Sequence, residues 1–229
     1  MRKEVEDLKK WEEELGDLRI KRRDQILKAA KEIFLEKDIA SITMTHIAAH
    51  AGVTRVTLYN YFSSIHEIVF EIQIKIINEI TSYSQTEDIS AKTGADQLAL
   101  IINGWLQLYH KHPDHLRFIA QFDHFYRDSF PSEDLRERYK KSMEGYGGNL
   151  IAAIEKGMKD GSILLTFHPA LLGSMISHTL TSMVLRMATR GHLIQKQFGL
   201  DPEHILTYLM NFLSQFVRAK PDPFVFEVK

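Results

Sequence analysis

Thr43-Met-Thr-His-Ile-Ala-Ala-His-Ala-Gly-Val-Thr-Arg-Val-Thr-Leu-Tyr-Asn-Tyr-Phe62 carries two helix starts, a turn and a pair of anchoring positions. The hydroxyl of Thr43 can accept an orphan amide of the turn that follows, so a short helix is expected to begin there. Ile47, Ala48 and Ala51 then make a small apolar face that lets a second helix approach closely. Gly52 comes next, where a left-handed helix ending favours a residue without Cβ. Val53 fills the turn and Thr54 caps the following helix, on which Leu58 and Phe62, four residues apart, share the inward side. Arg55, Val56, Thr57, Tyr59, Asn60 and Tyr61 are left to face elsewhere. Two short helices joined by a glycine turn, the second exposing hydrogen-bonding and aromatic tips, form the helix-turn-helix arrangement that enters a DNA groove.

Helical spacing continues on both sides of this stretch. Ile26, Leu27, Ala30, Ile33 and Phe34 follow the i, i+3/i+4, i+7 pattern before it, and Ile65, Ile68, Val69, Ile72, Ile76, Ile77 and Ile80 repeat it across 64–82. The β-branched residues there disfavour helix slightly, but period and length outweigh that. Further helices are predicted at about 95–111, 113–129, 132–159, 169–197 and 202–218. Three of them open on proline signals: Pro113-Asp114, Pro131-Ser-Glu-Asp134 and Asp201-Pro-Glu203. Only Phe224-Val-Phe-Glu-Val228 alternates like a strand, and it is too short to stand alone. The fold class is therefore all-α. Residues 85–94 are polar, contain Gly94 and read as a loop. The division expected is a charged, helical extension over 1–20, a DNA-binding head over 21–68, a helical body over 69–219 and a tail over 220–229. The extension places Val5, Leu8, Trp11 or Glu12, Leu15 and Leu18 at near-heptad spacing, a pattern that fits a solvated leader better than a docking segment.

Composition sets the remaining bounds. A chain of 229 residues buries a sizeable core without staples, and the absence of cysteine excludes disulfides and thiolate metal sites. No secretory signal is read at the charged N-terminus, and no apolar run reaches the ~20 residues needed to span a bilayer, so a cytoplasmic protein without membrane partners is expected. The net charge of -1 conceals an asymmetry. Residues 21–66 hold seven Lys/Arg against four Asp/Glu, whereas residues 1–20 hold five against seven. A modestly basic head inside a near-neutral chain suits nucleic acid.

On Ile47-Ala48, Ala51-Gly52-Val53, Leu58-Tyr59 and Tyr61-Phe62, with Ile26, Ala29-Ala30 and Phe34 before them, the chain resembles the tetracycline-repressor (TetR) family of bacterial regulators. The resemblance covers about residues 21–68, and Lys111-His112-Pro113-Asp114 looks like a loop before that family's sixth helix. It implies a nine-helix subunit: three helices for DNA, a linking fourth, and a body that dimerises and binds a small effector between helices four and eight. It also implies a transcriptional repressor, rather than an enzyme, that binds a palindromic operator in double-stranded DNA as a homodimer and is released by its effector. Thr45, Arg55, Val56, Thr57 and Asn60 would then lie near base edges or the adjoining backbone, and Tyr59 and Tyr61 near phosphates. Thr43 and Thr54, at the two helix starts, complete the DNA-facing set. The chemistry agrees: Arg can donate twice to guanine, Thr and Val can meet a thymine methyl, and phenols can hold phosphate oxygens. One departure stands out, because Ile65 occupies the place of the family's usual lysine. Ser63 and Ser64 at a helix N-terminus could hold a phosphate instead, with Lys21, Arg22 and Arg23 compensating.

In the body, Trp105, Phe118, Phe122, Phe125, Tyr126, Tyr146, Met175 and His178 are the candidates to line a pocket for an apolar or aromatic effector, although such residues are more often ordinary core. Self-association is expected through 169–197, with Leu171, Leu172, Met175, Ile176, Thr179, Leu180 and Met183, and through 202–218, with Ile205, Leu206, Leu209, Phe212, Leu213 and Phe216. Rival classes are a helical protein-interaction module, a transcriptional activator and a metal-dependent helical enzyme. Against the last, there is no Gly-rich phosphate loop or nucleophile elbow. His110, His112, His115 and His124 straddle a proline turn rather than one helical face, so neither metal nor cofactor is expected.

Overall fold

A computed structural model describes residues 2–83, 92–164 and 168–220, except for the side chains of 2–10, 12–13, 83 and 145–146. In chain order the described helices are α1 (Arg2–Glu36), α2 (Met44–His50), α3 (Arg55–Tyr59), α4 (Ile65–Tyr83), α5 (Gly94–Lys111), α6 (Pro113–Phe125), α7 (Glu133–Asp160), α8 (Pro169–Phe198) and α9 (Pro202–Phe216). A 3-10 turn, Ile39–Ser41, lies between α1 and α2. Among the described residues there is no strand, only an isolated bridge between Ile163 and Arg218. The strand-like tail and most of the expected loop at 85–94 lie outside the described residues. Gly94 is described, and it is helical.

Two compact units result. One gathers Met1–Gln73 and Gln121–Pro131, the other Ile74–Ala120 and Ser132–Lys229. In the first, α1 packs on α2 and α2 on α3. Ile26, Ala30 and Phe34 of α1 are fully buried, as are Ile47 of α2 and Leu58 of α3, and Phe62 joins them. Removing side chains of this size from water stabilises a fold by about 1.5–3 kcal/mol each. The charged extension is simply the first half of α1, and Trp11, Leu15 and Leu18 stand exposed on it. Residues 121–131 add an aromatic cluster to this unit. Phe70 meets the rings of Phe122 and Tyr126 at 4.9 and 4.8 Å between centroids, with Phe130 at 5.9 Å.

In the second unit α5 packs on α7, α8 and α9, which also pack on one another as α7–α8 and α8–α9. The start of α5 is fixed by partners far away in sequence, which explains why a polar segment ending in glycine becomes helix. Thr93 caps Asp96 N, the Asp160 carboxylate accepts Gly94 N at 2.8 Å, and Ser162 Oγ accepts Ala95 N at 3.0 Å. Gly94 is required there, since a Cβ would fall on the backbone N and Cα of Gly157 and within 2.6 Å of Ala153 O. Pro113 ends α5 and begins α6 at its first position. α6 stops at Phe125 rather than near 129, short of Pro131, and Arg127 folds back to donate to His124 O at 3.0 Å. Among the described residues no helix is long and apolar enough to cross a membrane.

Candidate nucleic-acid interface

The two short helices form as their caps dictate. Thr43 Oγ1 accepts His46 N at 3.3 Å while the imidazole Nδ1 of His46 accepts Thr43 N at 3.3 Å, a reciprocal box closing the start of α2. At the other end Val53 N donates to Ala48 O at 2.9 Å, and Gly52 takes φ +65°, where a side chain would be strained. Thr54 Oγ1 accepts Thr57 N at 3.0 Å and shares a 2.9 Å hydrogen bond with the Thr57 hydroxyl. That pair gives both threonines a capping role, so the hydroxyl of Thr57 is already engaged in holding α3. Beyond Tyr59 the chain stays tightly wound, with Tyr61 N and Phe62 N both donating to Leu58 O at 3.0 Å.

Leu58 and Phe62 face inward, and the other side of α3 is open. Arg55, Val56, Tyr59 and Asn60 are exposed, Val56 to 73%, with Thr57 and Tyr61 half-buried. Thr43, Thr45 and Thr54 are exposed on the same two-helix motif. Two arginines order the aromatic tips: Arg55 lies 5.9 Å from the Tyr59 ring centroid, and Arg19, from the helical extension, 5.8 Å from that of Tyr61. Sequence reasoning does not find Arg19, because a contact across forty-odd residues leaves no local pattern.

Two expectations about phosphate need correction. Both donors of Ser63 at the start of α4 are already engaged, and the Ser64 hydroxyl serves as an acceptor. The Glu67 carboxylate accepts both Ser63 N at 2.7 Å and Ser63 Oγ at 2.8 Å, and Ser64 Oγ accepts Glu67 N at 3.2 Å. A carboxylate thus sits where the phosphate was expected, and its charge opposes an anion there. Arg23 is also committed, 3.0 Å from Glu71 Oε2 and 4.7 Å above the Phe62 ring. Lys21 and Arg22 remain exposed.

The expected effector-lining residues are divided between the two units. Phe122, Phe125 and Tyr126 belong to the first unit, around Phe70 and His66, and the Tyr126 hydroxyl is 2.8 Å from His66 Nδ1. Burial pushes that phenol above its ordinary range, so it stays protonated. Trp105 and Phe118 are buried in the second unit. Met175 and His178 lie on the exposed side of α8, and the side chain of Tyr146 lies outside the described residues. The helices expected to self-associate split into two faces. Leu172, Ile176, Leu180 and Leu206 are buried within the subunit, whereas Leu171, Met175, Phe212 and Phe216 stand 54, 52, 49 and 57% exposed, the two phenylalanines stacked at 5.7 Å.

Comparison with known proteins places these features. Residues 26–72 match the model of bacterial regulatory proteins, tetR family. Over 41 residues the chain is 54% identical to an uncharacterized HTH-type transcriptional regulator of Mycobacterium tuberculosis (strain CDC 1551 / Oshkosh), a match spanning 18% of this chain and only 20% of that relative. Over 162 residues it is 28% identical to the fatty acid metabolism regulator protein of Bacillus subtilis (strain 168), covering 70% of this chain and 80% of that one. The fold is similar to the crystal structure of the transcriptional regulator FadR from Bacillus subtilis in complex with stearoyl-CoA, with TM-score 0.65, 23% identity and coverage of 83% and 96%. These likenesses lead to a class of regulators rather than to an enzyme class.

Proposed function

We propose that this chain, whose residues 26–72 match bacterial regulatory proteins of the tetR family, is a transcriptional repressor that binds a palindromic operator as a homodimer and leaves it when a small apolar or aromatic effector binds the helical body. The observation that carries this reading is the two-sidedness of α3: Leu58 and Phe62 are buried behind it while Arg55, Val56, Tyr59 and Asn60 are presented to solvent. Arg55 and Asn60 supply base-edge donors and acceptors, Val56 and the methyl of Thr45 meet thymine, and Tyr59 and Tyr61 hold phosphates. The DNA-binding helices fall within residues 21–68 and the body takes up most of 69–219, with 121–131 counted in the first unit.

Dimerisation is supported by the exposed apolar residues of α8 and α9, which a second copy would cover in a twofold four-helix arrangement. A twofold dimer demands an inverted repeat whose half-sites lie one helical turn, or a multiple of it, apart. The effector acts by favouring a dimer whose recognition helices are spaced for neither, which lowers the DNA-competent population. A long-chain acyl thioester is the first effector to test, because the FadR structure holds stearoyl-CoA and the 28%-identical relative is a fatty acid metabolism regulator.

Selection of bound sequences from random DNA with the purified protein tests the reading. An inverted repeat should be enriched, and Arg55→Ala should relax preference at one base position of each half-site and weaken specific binding about 5- to 150-fold per half-site. If no sequence is enriched, the regulator reading fails. If stearoyl-CoA leaves operator affinity unchanged, the acyl thioester is withdrawn while the DNA-binding reading stands.

A further inference from the structure

In the second unit, the junction of α5 and α6 gathers His112, Asp114 and His115, whose ligand atoms all lie within 4.8 Å of one another. The proline turn, which argues against shared ligation in sequence terms, is what assembles them. α5 ends at Lys111, Pro113 restarts the helix, and His115 N donates to His112 O at 3.0 Å. The two imidazoles lie nearly parallel, 4.7 Å apart with 14° between planes. The other two histidines are not part of the cluster: His110 Nε2 is 3.5 Å from Glu203, and His124 belongs to the first unit.

His115 is the centre of the arrangement. It is 7% exposed, and its two ring nitrogens meet different carboxylates. Nδ1 lies 3.4 Å from Oε2 of Glu79, on the part of α4 within the second unit, and Nε2 lies 3.9 Å from Oδ2 of Asp114. A starting turn of α6 accounts for Pro113 and Asp114, since proline and an acid both suit a helix N-terminus. It does not account for a buried imidazole between two carboxylates and a second imidazole. Glu79 Oε2 approaches Nδ1 without a hydrogen bond in this geometry, and a small turn of its exposed side chain would let it take the Nδ1–H and leave Nε2 as a lone-pair donor, the arrangement found behind metal-ligating histidines.

We propose that His112, Asp114 and His115 bind a first-row divalent cation of the Zn2+, Co2+ or Ni2+ type, with Glu79 orienting His115 as its ligand. Two imidazoles and one carboxylate, without thiolate, suit these ions better than Ca2+ or Mg2+, which take all-oxygen sets. Three protein donors leave at least one position for water or another small ligand. Donors bound at about 2.0–2.2 Å from one ion sit roughly 3.3 Å apart, so rotation of the half-buried His112 and Asp114 side chains is enough to close the site.

The test uses the full-length chain without a histidine tag, stripped with chelator and titrated with Co2+ while visible absorption is followed. One Co2+ per chain is expected, displaced by Zn2+, with a rise in Tm. Asp114→Asn and His112→Gln should each abolish the absorption band or weaken binding at least tenfold. Glu79→Gln lies on another helix at a half-exposed position and is chosen so that folding is retained. It should keep the stoichiometry and weaken affinity about 10- to 100-fold. Failure of the wild-type chain to bind Co2+ overturns the proposal. So does binding that all three variants leave unchanged, because the ion would then lie elsewhere. Neither result bears on DNA binding, which does not involve these residues.

Discussion

Replacing Gly52 by alanine isolates the backbone requirement of the turn between α2 and α3. Gly52 sits at φ +65°, and a Cβ built on it meets no atom within 4 Å, so no clash contributes. The cost is purely conformational: about 1–2 kcal/mol for holding an L-residue in the left-handed region. Against it stands about 0.4–1 kcal/mol gained by stiffening the unfolded chain. The net expectation is a loss of about 0.5–1 kcal/mol. Gly104 supplies the control, since it lies inside α5 and its Cβ also meets nothing within 4 Å. There the same change should stabilise by about 0.5–1 kcal/mol, because alanine is the better helix former. Two identical chemical changes, both into open space, should therefore move stability in opposite directions. Urea unfolding followed by circular dichroism measures both, and Gly52→Asn should fall between wild type and Gly52→Ala because asparagine tolerates the left-handed region. Equal or greater stability of Gly52→Ala would refute the reasoning, as would a loss of the same size at Gly104.

Restoring a lysine in place of Ile65 should tighten binding to all DNA sequences alike. It should steepen the log–log salt dependence by about 0.9 per subunit, hence about 1.8 for a dimer; an unchanged slope would put the position away from the phosphates. Phe212→Glu, at an exposed and stacked position of α9, should shift the protein to monomer in sedimentation velocity and leave its helix content unchanged. A stable dimer in that variant would move the interface elsewhere. The carboxyl of Asp96 is held below its ordinary range, first by the Thr93 hydroxyl and next by Arg218 at 2.8 Å. A depressed folded pKa contributes stability above about pH 4 that is lost as pH falls through the folded value. Asp96→Asn should therefore lower Tm at pH 7 and make stability less sensitive to acid. The effect should stay under about 1 kcal/mol because the side chain is 41% exposed.

Much of the architecture is legible in the sequence because it is encoded locally. Thr43, Gly52 and Thr54 act through atoms three or four residues away, so α2 and α3 form where their caps indicate. Prolines 113, 169 and 202 likewise mark the helix starts at which they stand. What escapes is set by distant partners. Helix begins at Gly94 because Asp160 and Ser162 hold its first amides, and no reading of 85–94 by itself contains that information. Ser63 looks like a phosphate donor until Glu67, one turn on, is seen to occupy both its amide and its hydroxyl. The histidines at 112 and 115 fail the rule of one helical face, yet the rule does not apply across a break that redirects the chain. On α8 and α9 the apolar stripe is readable, but its division into an inner and an outer face depends on where α5 and α7 lie.

The discontinuity of the first unit bears on how such a protein can be cut and recombined. A fragment ending at residue 73 would keep all of α1, α2 and α3 but lose Phe122, Tyr126 and Phe130, leaving Phe70, fully enclosed in the intact chain, bare to water. Grafting this head onto a foreign sensor would therefore require a splice that carries 121–131 along, so the portable module is two separate pieces of chain rather than a prefix.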